Sequence, residues 1–61
     1  MDLKAIRKRA GLRQTDLAQA ASISQSLVVK IELGERKPSV KVAKRIAAVL
    51  DFDWTDFFKE T

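Results

Sequence analysis

Cysteine, histidine and tyrosine are absent from these 61 residues, and proline occurs once. Without cysteine there is no disulfide and no thiolate ligand for a metal. Without histidine as well, only carboxylates are left to hold a metal ion, which speaks against a structural zinc. The same absences remove the usual nucleophile and general-base pairs. The serines and threonines have no base at helical spacing. Asp51 and Asp53 read as a turn and a helix cap rather than an acid–base pair, and Gly11 and Gly34 fall at helix ends, so no glycine loop cradles a phosphate. These lacks predict a protein that is no enzyme, with no metal, no cofactor and no small-molecule ligand. No apolar run approaches the ~20 residues of a membrane span. The opening MDLKAIRKRA has no signal-peptide apolar region. The expectation is a cytoplasmic protein without a membrane partner. Strand-like alternation, repeats and low-complexity segments are missing too.

What the chain does have is apolar residues at helical spacing. Residues 1–61 are expected to form one domain with a small core. A first helix is predicted over about Asp2 to Ala10, with Leu3, Ile6 and Ala10 on one stripe and Gly11 ending it. A second covers about Gln14 to Ala21, with Leu17, Ala18 and Ala21 as its apolar side. A third covers about Gln25 to Leu33, capped by Ser24, closed by Gly34 and buried along Val28 and Ile31. Gly34-Glu35-Arg36-Lys37-Pro38 reads as a basic loop. Ser39 caps a fourth helix to about Leu50, with Val40, Ala43, Ile46, Ala47 and Leu50 facing inward. Asp53 caps a short fifth helix, and Phe52 with Phe57 suits a hydrophobic staple across that cap. The fold class expected is therefore all-α with five helices.

Two short helices around a very tight turn, within Gln14 to Leu33, are the arrangement of a helix-turn-helix, whose second helix enters the DNA major groove. At ~100° per residue, Gln25, Ser26, Val29, Lys30 and Leu33 lie away from the Val28 and Ile31 side. Gln and Lys can hydrogen-bond base edges or phosphates, Ser does either, and Val can meet a thymine methyl. An ordinary solvated face would not need the apolar Val29 and Leu33. Charge supports a polyanionic partner. The net charge is +4, with eleven Lys/Arg against four Asp/Glu over residues 1–45. Residues 46–61 set Lys59 against Asp51, Asp53, Asp56 and Glu60, so the acidic end is expected to face away from DNA. Arg7, four residues after Leu3, and Glu32, four after Val28, each lie beside an apolar stripe. Opposite charges so placed suggest one ion pair joining the first and third helices.

Residues Leu3 to Phe58 resemble the phage-repressor and Cro-type helix-turn-helix family. The matching pieces are Arg7, Gly11-Leu12, Gln14, Leu17-Ala18, Ile23-Ser24, Val28, Ile31-Glu32, Gly34, Pro38-Ser39, Ile46-Ala47 and Leu50. The chain differs from the family pattern at Arg13, where a capping Thr or Ser is usual. It differs also at Ser22, in place of a turn glycine, and at Leu33, in place of an Asn before Gly34. The resemblance implies a lambda-repressor-like domain that binds a double-stranded DNA operator as a homodimer and regulates transcription, most simply as a repressor. It implies a bacterial or phage-encoded protein, associated with the nucleoid when bound.

The resemblance also carries residue roles. Gln25, Ser26, Val29 and Lys30 become the base readers. Gln14, at the start of the second helix, becomes a phosphate contact, and the Arg7–Glu32 pair is a family feature. Arg13, Arg36, Lys37 and Lys41 in the neighbouring segments are further phosphate candidates. Trp54, Phe57 and Phe58 are expected on one face of the fifth helix, with Phe52 just before it. They complete the core, and a surplus ring suits a dimer contact, since family members often pair there. The rival reading is a protein-interaction module, such as an antitoxin or antirepressor, on the same fold. Gln25, Ser26 and Lys30 beside basic loops favour DNA over a protein groove.

Overall fold

The computed structural model describes residues 1–59. Glu60, counted above in the acidic end, lies outside the described residues. The order is α1 (Leu3–Arg9), α2 (Gln14–Ala21), α3 (Gln25–Glu32) and α4 (Val40–Leu50), then a 3-10 helix at Trp54–Phe58. The expectation of five helices is thus corrected to four α-helices and one 3-10 helix. The cause is local. Trp, Thr and Phe are modest helix formers, and five residues are too few for a cooperative α-helix. Asp53 closes the segment by i to i+3 geometry, its carbonyl accepting the Asp56 N–H at 3.0 Å. No strand occurs among the described residues.

Each α-helix starts on a polar cap. The Asp2 carboxylate accepts the Ala5 N–H, and the Ser24 and Ser39 hydroxyls accept those of Leu27 and Val42. Arg13 caps α2 without a side-chain acceptor of its own. There the Asp16 carboxylate reaches back to take the Arg13 N–H at 2.9 Å, which is half of a capping box.

Each α-helix also ends the same way. The chain turns through a left-handed residue, at Gly11 (φ 74), Ser22 (φ 57), Gly34 (φ 77) and Asp51 (φ 59). The residue after each one donates back to a carbonyl five positions earlier: Leu12 to Arg7, Ile23 to Ala18, Glu35 to Lys30 and Phe52 to Ala47. This is the Schellman closure, in which the returning residue usually makes an apolar contact. Leu12, Ile23 and Phe52 do so, each packed on the core.

Leu17, Val28 and Ile46 are fully buried at the centre, with Leu3, Ala18, Ala21, Ile31 and Leu50 around them. α2 packs against both α3 and α4, α1 against α3, and the 3-10 helix against α4. Ala43, Ile46, Ala47 and Leu50 form the buried stripe of α4, at i, i+3, i+4 and i+7. Val40 was expected on that stripe but is 49% exposed, because at the first helical position the stripe outruns the core. Ala10, expected on the α1 stripe, is the exposed cap residue after Arg9.

Candidate nucleic-acid interface

α2 and α3 are joined by Ser22-Ile23-Ser24 alone. Ile23 folds into the core while Ser24 caps α3, so the turn fixes the angle between the helices from both sides. α3 then buries Val28 and Ile31 and turns its other side outward. Gln25, Ser26 and Lys30 are exposed and Val29 is half-buried, and these four line one shallow hollow. Glu35 completes its rim, a residue not singled out from the sequence. Leu33, just past the helix, is 68% exposed.

Behind that face lies a buried polar centre. The Arg7 guanidinium donates to Glu32 twice, Nε to Oε2 at 2.6 Å and Nη2 to Oε1 at 3.2 Å. Its Nη1 donates to the Leu12 carbonyl at 2.8 Å, and Gln14 Nε2 donates to Glu32 Oε1 at 3.2 Å. One carboxylate on α3 therefore holds side chains from α1 and α2. Both ion-pair side chains are almost fully covered, and no buried polar side-chain atom among the described residues lacks a partner. Burial pushes the Glu32 carboxyl up, but hydrogen bonds from Arg7 and Gln14 outweigh it and hold the group below the ordinary glutamate range. The same contact holds the Arg7 guanidinium above its ordinary value.

The candidate phosphate contacts surround this centre unevenly. Gln14 is half-buried and spends one amide hydrogen on Glu32, which leaves the second free. Arg13 is exposed, yet its guanidinium is held bidentately by Asp16, at 3.0 and 3.2 Å. Those hydrogen bonds keep the Asp16 carboxyl below its ordinary range. Asp16 was not anticipated, although an acid three residues after a helix cap is a readable signal. Arg36, Lys37 and Lys41 are exposed, the first two in the loop after α3 and the third in the first turn of α4.

The aromatic residues do not share one face. Phe52 and Phe57 meet edge to face with ring centroids 5.4 Å apart and pack on the core. Trp54 and Phe58 form a second edge-to-face pair at 6.1 Å, outside the first, with Phe58 39% exposed. Lys44, unremarked in the sequence, places its ammonium 5.1 Å from the Trp54 ring centroid. Among the described residues no acidic cluster is able to hold a metal, and no helix is long and apolar enough to cross a membrane.

The family defined by this helix-turn-helix matches residues 3–57, the span from α1 into the 3-10 helix. The chain belongs to the helix-turn-helix family of the phage-repressor and Cro type. This is a family of DNA-binding regulators rather than enzymes. Two curated relatives fit that placement. The chain is 47% identical over 58 residues to the uncharacterized HTH-type transcriptional regulator YqaF of Bacillus subtilis (strain 168), a match covering 95% of this chain and 76% of that protein. It is 37% identical over 51 residues to the ImmF control region 10 kDa protein of Bacillus phage phi105, covering 84% of this chain and 57% of that protein. No solved structure matches at a significant level.

Proposed function

We propose that the chain is a sequence-specific duplex-DNA-binding regulator of transcription, acting as a repressor that binds a near-palindromic operator as a homodimer. The carrying observation is the outward side of α3, where Gln25, Ser26, Val29 and Lys30 line one hollow. That hollow faces out from the second helix of a helix-turn-helix, the position that meets base edges in the major groove. In this reading Gln25 recognises adenine, Lys30 guanine and the Val29 methyls thymine, with Ser26 as a supporting donor or acceptor. Gln14, Arg13, Arg36, Lys37 and Lys41 touch phosphates and set the register. Phe58 and Trp54 supply the apolar patch at the two-fold, while Phe52 and Phe57 support it from the core. The Bacillus subtilis relative is named a transcriptional regulator and the phi105 relative a control-region protein, both in keeping with this role.

The test is affinity for a preferred operator, selected from a random duplex pool, against affinity for a scrambled duplex. Gln25→Ala and Lys30→Ala are expected to cost ~1–3 kcal/mol on the operator and little on the scramble. Arg36→Ala and Lys37→Ala are expected to weaken both duplexes alike, since phosphates carry no base identity. Equal losses on both duplexes for Gln25→Ala and Lys30→Ala would rule out base reading by α3.

A further inference from the structure

Glu35 stands apart from every other residue around the recognition side of the molecule. It occupies the returning position of the Schellman closure that ends α3, its N–H donating to the Lys30 carbonyl at 3.0 Å. At the other three helix ends that position holds Leu12, Ile23 or Phe52, each packed on the core. At α3 it holds an exposed glutamate, which lines the hollow together with Gln25, Ser26, Val29 and Lys30. Among the described residues Glu35 has no ion-pair partner, although Lys30 is its backbone neighbour. The surroundings are otherwise basic, with Arg36 and Lys37 next in the chain. A bare carboxylate on a surface that approaches phosphates weakens binding to every duplex, unless a base offers it a donor. In the major groove that donor is the exocyclic amine of cytosine, the pairing that suits Glu.

We infer that Glu35 is a specificity-determining residue, which accepts a hydrogen bond from cytosine N4 within one base pair of the position read by Lys30. The inference rests on the DNA-reading role proposed above. The two side chains are complementary in sign to one G·C pair. Lys30 donates to guanine O6 and N7, and Glu35 accepts from the partner cytosine. The Schellman hydrogen bond holds the two backbones together, so both reach the same step of the groove. Glu35 also acts where it makes no contact, because its charge opposes duplexes that present only acceptors there.

Selection from a random duplex pool tests this with the full chain, Lys30→Ala, Glu35→Gln and Glu35→Ala. The wild type is expected to enrich cytosine at one position by at least roughly fivefold over other bases. Glu35→Ala is expected to lose that preference, and Glu35→Gln, whose amide can also donate, to share it with adenine. Lys30→Ala is expected to relax the same or the adjoining base pair. Affinity for a scrambled duplex at low salt is expected to rise several-fold in Glu35→Gln, since a like charge has been removed. If the wild type selects a sequence and the Glu35 variants select it with the same base preferences, the assignment of Glu35 is wrong and the DNA-reading role stands. If the wild type enriches no sequence, both fall together.

Discussion

At the scale of single residues, Glu32 concentrates the most chemistry. Its folded pKa lies below the ordinary glutamate value because Arg7 and Gln14 donate to it. A carboxylate shifted that way contributes stability above its unfolded pKa, about 4.3, and that contribution disappears as pH falls through the lower folded value. Asp16 shifts in the same direction, so acid weakens the chain at both sites. Stability to urea is therefore expected to drop below roughly pH 4.5, and Glu32→Gln is expected to flatten that drop. At neutral pH, Arg7→Met strands a buried carboxylate and is expected to cost roughly 3–5 kcal/mol. That approaches the whole stability of so small a domain, so an osmolyte is needed to keep the variant folded. The double variant is expected to lose much less than the two singles together. Coupling below ~0.5 kcal/mol in that cycle would mean the pair does not act as a unit.

At the scale of elements, the helix ends make the sharper test. Ser22 and Asp51 take a left-handed conformation that costs an L-residue roughly 1–2 kcal/mol. Glycine relieves that strain but adds freedom to the unfolded chain, so Ser22→Gly is expected to stabilise by about 0.5–1 kcal/mol. Thermal unfolding reads this as a rise of several degrees in a domain of this size. No rise, or a fall, would show that the Ser22 side chain supports the turn. The elements also divide what a sequence reveals from what it hides. Ser24, Ser39, Gly11 and Gly34 announce their helix ends because the residue type itself does the capping. At Ser22 and Asp51 the end is legible from where the apolar stripe stops, but the left-handed backbone is not, since nothing local distinguishes a strained residue from a relaxed one. The last segment reads as an ordinary helix because the Asp53 cap, the first-turn Asp56 and the Phe52–Phe57 staple suit an α-helix and a 3-10 helix alike. Asp16 is legible, since an acid three residues after a cap is a local signal. Glu35 is not, because its place at the rim of the hollow follows from the backbone closure that ends α3 rather than from spacing along a stripe.

At the scale of the whole molecule, charge and association are linked. Arg13, Arg36, Lys37 and Lys41 are the candidate cations at the interface, and Arg13 is already shared with Asp16. With ~0.9 in log K against log salt for each phosphate neutralised, four cations give a slope of at most about −4 for one protomer and about −7 for a dimer. The full operator is therefore expected to show nearly twice the salt slope of an isolated half-site, and sedimentation at saturation to show two chains on it. A slope near zero on both duplexes would remove the electrostatic basis of the proposed function. Equal slopes on both would remove the dimer.

The grip of Glu32 on α1 and α2 has a thermodynamic consequence for association. α3 is clamped from within by Arg7 and Gln14, and its flanking turns are closed by backbone hydrogen bonds. The side chains proposed to face the groove thus ride on a frame already tied together by these contacts without a duplex. Coupled folding on binding shows itself as a large negative heat-capacity change, from apolar surface newly buried in the protein. Here that surface is covered beforehand. Calorimetry of half-site binding is left with a heat-capacity change set by the contact area alone, and with an ordering entropy confined to the long side chains at the rim.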